Sequence, residues 1–292
     1  MMNYFILLLA IVVLTAQTLI FKAFNRSFKL DNTSFFAFNS VNYFVVVCTY
    51  LAIGGKIPPL LPITIVFGAS FGIVFVTIVY CYMKAMETGP LSFSVLALSF
   101  GIVLPILFGG IFWDEGIKLI QVAGLILLFV TFILFAGSLK VAAFPGRKLW
   151  IAFCLLTFTG NGIGMILLKS HQMLSGGSQV RELLLVAFAT ATIVCLVMLG
   201  ISLARKGKIS PLFKTNFAVL AVGAGISTAM GNYFNVYLNS RMPGIIQFPV
   251  SNGGVALAST VLSWIIFKEK INRRGLLGLA TGIAALVLLS LN

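Results

Sequence analysis

The sequence predicts an all-α integral membrane protein, with ten transmembrane helices forming two inverted five-helix repeats. Three observations lead there. Of the 292 residues 60% are hydrophobic and only 9% are charged, against roughly 25% charged in soluble chains, and the mean hydropathy is +1.11. Apolar runs of membrane length follow one another from end to end. One long hydrophobic stretch also occurs twice. It opens at Gly89-Pro90-Leu91-Ser92 and closes at Trp113-Asp114-Glu115, then opens again at Met242-Pro243-Gly244-Ile245 and closes at Phe267-Lys268-Glu269. Nine residues past each glutamate stands a glycine, Gly124 and Gly278.

Ten runs can be marked, near 3–21, 34–53, 62–83, 90–113, 118–138, 149–168, 182–203, 215–238, 243–267 and 274–291. A bilayer core needs about 20 apolar residues of helix, and only helices or closed barrels satisfy every peptide group in hydrocarbon. Runs this long without alternation are helices. The first, opening Met1-Met2-Asn3-Tyr4-Phe5, lacks a basic leader and is read as a retained span. Short loops rich in Gly, Pro or basic residues separate the runs, such as Gly54-Gly55-Lys56-Ile57-Pro58-Pro59. Trp113, Trp150 and Trp264 stand near run ends, where interfacial anchors belong. Cys48, Cys81, Cys154 and Cys195 all lie in apolar runs without C-x-x-C spacing, and read as buried small hydrophobes rather than disulfides or metal ligands.

The repeat reaches beyond the long stretch. Lys22 and Lys169 are 147 residues apart, as are Cys48 and Cys195; Gly68 and Gly223, like Tyr82 and Tyr237, are 155 apart. Residues 1–140 form the first five-helix unit and 141–292 the second. Five is odd, so the second unit is inverted in the membrane. Paired Gly/Pro-interrupted segments at matching places point to a transporter's binding site. Gly101 and Pro105 in the fourth run, with Pro249, Gly253 and Gly254 in the ninth, are the expected gating or bending positions.

The helix number, the repeat and the proline-to-glutamate segment with its following glycine resemble the EamA-like branch of the drug/metabolite transporter superfamily, over essentially the whole chain. That resemblance implies a permease of two inverted five-helix repeats around a central cavity, exporting or exchanging small metabolites. The first span reads Val13-Leu14-Thr15-Ala16-Gln17 and lacks the Trp-Gly pair of many relatives. Roles tied to that pair do not carry over.

The net charge of +14 lies in short loops rather than one patch, which excludes nucleic acid as the partner. Loops after odd-numbered runs hold 15 of the 20 basic residues; Lys56, Lys118, Lys169, Arg181 and Arg241 make up the rest. The positive-inside rule then puts both termini outside, although relatives are often drawn with theirs in the cytoplasm. The expected location is the plasma (inner) membrane of a bacterium.

No acidic residue falls mid-span, which weakens proton/cation antiport through a buried carboxylate. Glu115 and Glu269 are expected to satisfy the end of their own helix or pair with a nearby base, with a role in coupling as the alternative. Neutral polar residues instead form stripes. Thr228, Asn232, Asn235 and Asn239 share one face of the eighth helix. Thr77, Tyr80 and Lys84 stand at the equivalent places of the third. Gln247 and Ser251, with Asn252 beside them, line the ninth, and Ser94 belongs to the fourth. Asn39 and Asn42 add polarity to the second helix, and Gln17 to the first. Such stripes turn away from lipid, either as helix-helix glue worth ~0.6–2 kcal/mol per hydrogen bond or as a substrate cavity. Gly68/Gly72 and Gly278/Gly282 have close-packing spacing. The one histidine, His171, is expected in the loop after the sixth run; with no partner Cys or acid it makes neither a metal site nor a nucleophile-base pair. No cofactor, phosphate loop or catalytic constellation is present in the sequence, so enzyme chemistry is not expected. The predicted function is a secondary transporter of a small neutral or zwitterionic metabolite by alternating access. The alternative is a non-transporting receptor or assembly partner.

Overall fold

A computed structural model describes residues 2–28, 31–53, 58–88, 98, 100–116, 118–136, 147–206, 215–267 and 273–290. Among them the chain forms only α-helices: α1 (Met2–Ser27), α2 (Asn32–Ile53), α3 (Pro62–Thr88), α4 (Val103–Phe112), α5 (Leu119–Ala136), α6 (Arg147–Leu174), α7 (Val180–Lys206), α8 (Thr215–Leu238), α9 (Gly244–Phe267) and α10 (Arg273–Ser290). Six of these, α1, α2, α3, α6, α7 and α8, are long and apolar enough to cross a membrane.

Local chemistry fixes several helix ends. Asp31 Oδ1 accepts from Ser34 N at 2.8 Å, capping α2 three residues on. Pro62 opens α3, where its missing N–H costs nothing. Gln121 Oε1 reaches back to Lys118 N at 3.0 Å and closes the start of α5. After α6, Gly176 and Gly177 take φ of 63° and 77°, and Gly177 N returns to Gln172 O at 2.8 Å. Glycine adopts that left-handed turn without a Cβ penalty.

The chain divides into two compact units, and each draws on both halves of the sequence. The first is Met1–Val76 with Leu167–Ser240, the second Thr77–Ile166 with Arg241–Asn292. In the first unit α2 packs on α7 and α8, and α1 packs on α8. The contacts are close because glycines permit it. A Cβ on Gly72 would collide with the carbonyl of Ala187, and one on Gly68 would lie 2.9 Å from Leu183 O, so this α3 pair seats directly on the α7 backbone. Gly225 does the same for α8 on α2, 2.7 Å from Asn42 O. Polar ties lock the array: Tyr50 Oη donates to Ala229 O at 2.6 Å, and Thr33 Oγ1 meets Ser202 Oγ at 2.7 Å. Phe24, Phe38 and Phe217 close one end, with Phe24 and Phe38 centroids 3.9 Å apart.

In the second unit α5 packs along α10, and α9 contacts α4, α5 and α10. Gly124 seats against Leu289, and Gly282 against Leu257 and Thr131. Thr131 Oγ1 donates to Thr281 Oγ1 at 3.0 Å. Exposed Ile126, Ile133, Ile283 and Val287 on these two helices give the unit an apolar outside, which suits lipid and not water.

Candidate functional site

Two helices of the second unit carry the expected proline interruptions, and they answer them differently. In α4 the break comes first. Gly101 and Ile102 form a turn, and the helix starts at Val103. Pro105 has no N–H for the carbonyl four residues back. That carbonyl, Gly101 O, is taken instead by Leu104 N at 3.2 Å, a tighter three-residue turn. Gly101 also seats on α6: a Cβ there would lie 2.9 Å from Phe158 O and 3.0 Å from Asn161 Cβ. Asn161 Nδ2 then donates to Leu98 O at 2.8 Å, just before the turn.

In α9 the helix runs unbroken through Pro249. Proline removes the intrahelical partner of Ile245 O. Gln247 and Ser251 lie close to Pro249 and are 1% and 3% exposed; Gly253 and Gly254 are buried one turn on. Asn252 is half-buried. Its Nδ2 donates to Phe248 O at 2.9 Å, and because a backbone carbonyl can only accept, the amide's orientation is fixed. Asn252 Oδ1 therefore faces away from its own helix, and no donor among the described residues reaches it. Asn232 in α8 is held the same way, its Nδ2 on Thr228 O at 2.9 Å, with Oδ1 again presented.

The first unit gathers four of the expected residues into one chain. Gln17 Nε2 donates to Thr228 Oγ1, which donates to Asn42 Oδ1 at 3.3 Å. Asn42 Nδ2 donates to Asn39 Oδ1 at 3.4 Å, and Asn39 Nδ2 to Phe35 O at 3.0 Å. Thr228, Asn42 and Asn39 are buried. Each link uses one N–H or O–H on the next residue, so the chain ties α1, α2 and α8 together.

The other expected residues are more scattered. On α3, Thr77 is exposed and Tyr80 half-buried, with Lys84 Nζ 5.9 Å from the Tyr80 ring centroid. Asn235 is half-buried on α8. Ser94 and Glu269 lie outside the described residues. Glu115 was expected to satisfy the end of its own helix; its Oε2 instead accepts from Gly244 N, at the start of α9, at 2.7 Å.

One cluster was missed. His171 was expected in a loop, and Lys169 was counted as a loop charge; both lie inside α6 and both are 0% exposed. The sixth run looked shorter because a basic residue and a histidine read as an end, yet α6 continues to Leu174 and buries them. Cys48 also departs from its expected burial and is exposed, as a small apolar group can be on a lipid-facing helix.

Around His171 the hydrogens can be placed from backbone polarity. Gln179 Nε2 must donate to Pro59 O (3.0 Å), and Gln179 Oε1 accepts from Leu61 N (3.2 Å). Thr64 Oγ1 therefore donates to Gln179 Oε1 at 2.6 Å. Its one hydrogen is used, so at the 2.9 Å contact with Thr64 the histidine Nε2 carries the proton. His171 Nδ1 is then an acceptor, matching the Gln172 Nε2 that approaches it at 2.9 Å. Among the described residues no group of three or more His, Cys, Asp or Glu is placed to hold a metal ion.

No family model matches the chain, and no curated protein does. Solved structures do: 28 chains match it. One, described only as "Crystal structure of protein", superposes with a TM-score of 0.75 over 99% of this chain and 96% of that chain, at 14% identity. At that identity the likeness establishes a shared fold alone.

Proposed function

We propose that the chain is a secondary transporter: a ten-span permease of two inverted five-helix repeats, EamA-like, in the inner membrane of a bacterium. It moves a small polar metabolite by alternating access. The observation that carries this reading is α9. A helix of 24 residues, buried around an interior proline, holds the polar side chains Gln247 and Ser251 and presents the Asn252 acceptor. Irregular, polar backbone at membrane depth is tolerated where it lines a cavity or is covered by protein, and proline-weakened helices are where transporters bind. The turn at Gly101 next to Pro105 supplies the matching irregularity in α4.

The Asn252 amide narrows the substrate. It offers an oxygen turned away from α9 while one of its N–H groups is held by Phe248 O. An acceptor there favours a substrate with N–H or O–H donors, neutral or zwitterionic. Gln17, Asn39 and Thr228 belong to the glue and position α1, α2 and α8.

The test is untargeted metabolite profiling of cells and medium, comparing wild type with an Asn232→Leu/Gln247→Leu double variant at equal membrane expression. A compound redistributed by wild type alone supports transport and names its class. Matching profiles across many growth conditions refute it.

A further inference from the structure

We propose that His171 is a proton-binding site, with Gln172 as the group that accommodates the charged form. The site lies wholly in the first unit. His171, Gln172 and Thr64 are each 0% exposed, and the Phe67 ring lies 6.1 Å from the imidazole. The hydrogen-bond chain leads from His171 through Thr64 and Gln179 to Pro59, which is exposed.

The polarity of that chain suits both protonation states. Nε2 already donates to Thr64, and it would donate equally in the imidazolium. Only the Nδ1 side must change. There Gln172 Nε2 now donates to Nδ1, with a second, longer contact to Ser178 O at 3.4 Å. Its other amide atom, Oε1, is buried without any hydrogen-bond partner. A buried carbonyl oxygen in that state is costly. When a proton from solution adds to Nδ1, half a turn of the Gln172 amide brings Oε1 round to accept it. The new bond is charge-assisted, about twice as strong as a neutral one, and replaces both the neutral Gln172–Nδ1 bond and the weak Ser178 contact.

The charges around the site are few. On α3 no charged residue occurs from Pro62 to Met83. At the start of α7, Arg181 and Glu182 neutralise each other in a 2.7 Å ion pair. On α6 itself, Lys169 lies two residues away. Among the described residues no carboxylate bonds to His171, so uptake depends on the Gln172 acceptor.

The chain's single histidine makes the test direct. Tag-free full-length protein with ¹⁵N-labelled histidine is titrated by NMR in lipid nanodiscs from about pH 8 to about pH 4. The expected high-pH spectrum is the Nε2–H tautomer, giving way to imidazolium in one transition. Gln172→Met should lower the midpoint by about one unit, a tenfold loss of proton affinity, and Gln172→Glu should raise it by at least as much. Three results would overturn the proposal: an imidazole that stays neutral throughout, an Nδ1–H tautomer at high pH, or a midpoint raised by Gln172→Met. The last would mean that Gln172 only locks the neutral ring. If Gln172→Met does not fold, Gln172→Glu decides, and an unmoved midpoint there overturns it equally. No substrate enters the measurement, so its outcome is independent of the transport reading.

Discussion

Glu115 Oε2 accepts a 2.7 Å hydrogen bond from the backbone N–H of Gly244, although the two residues are 129 apart in sequence. Gly244 is the first residue of α9, where N–H groups lack intrahelical partners, and a carboxylate there also meets the positive end of the helix dipole. Gly109 makes room: a Cβ on it would lie 3.0 Å from the same oxygen. Glu115→Ala should therefore destabilise the protein by about 1–2 kcal/mol. Glu115→Gln, which keeps an acceptor, should cost about half as much. Thermal unfolding of the purified variants separates the two, and equal losses would assign Glu115 a role in charge rather than capping.

The α3–α7 contact offers a steric test. Gly72→Ala puts a methyl group into the Ala187 carbonyl, and overpacking of this kind costs about 1–3 kcal/mol. Gly200, with nothing within 4 Å of its would-be Cβ, is the control. Gly200→Ala should be neutral or slightly stabilising, since alanine is the better helix former. Detergent-resistance melting curves for the pair give the comparison.

Thr228→Val tests the glue. It leaves Asn42 Oδ1 without its Thr228 donor and Gln17 without its acceptor, with an expected loss of about 1–3 kcal/mol. Asn232→Leu removes one bond to its own helix and should cost less than about 1 kcal/mol. Under the transport reading the order reverses for activity, with Asn232→Leu the more damaging at equal expression. Stability and transport falling together in both variants would make Asn232 glue as well.

Asp114 ends α4 in the left-handed conformation, with φ of 53°, while Trp113 N and Glu115 N both return to Gly109 O. Glycine takes that conformation more readily than aspartate. Asp114→Gly should raise stability by about 0.5–1 kcal/mol in chemical denaturation. A loss instead would mean that the Asp114 carboxylate has work to do at the helix end.

Much of the helical architecture was legible beforehand because lipid imposes a simple rule. Residues 62–83, 215–238 and 243–267 were expected as helices, and α3, α8 and α9 occupy nearly those spans. The sixth helix was cut short at 168 because Lys169 and His171 look like solvent residues to a composition rule. The burial of His171 rests on Thr64 and Phe67 of α3, which no local pattern shows. The positions of the polar residues were legible, yet which of them are buried was not: Thr228 is buried while Thr77, expected to face inward, is exposed. Gln17 and Asn232 are chemically alike. One finds a hydroxyl 211 residues away, and the other turns back on its own helix.

The sequence by itself determined that this is a helical membrane-type chain, where its long apolar helices run, and which positions carry prolines and polar groups. These follow from hydropathy and from what proline lacks, both properties of single residues and their near neighbours. Tertiary structure alone decided that Glu115 caps α9, that Gln17 joins Thr228 and Asn42, and that His171 is buried in a polarised hydrogen-bond chain. Each depends on the direction and distance of donors and acceptors brought together by packing. A hydrogen bond reaches only about 3 Å, so side chains far apart in sequence acquire partners only once the helices have assembled.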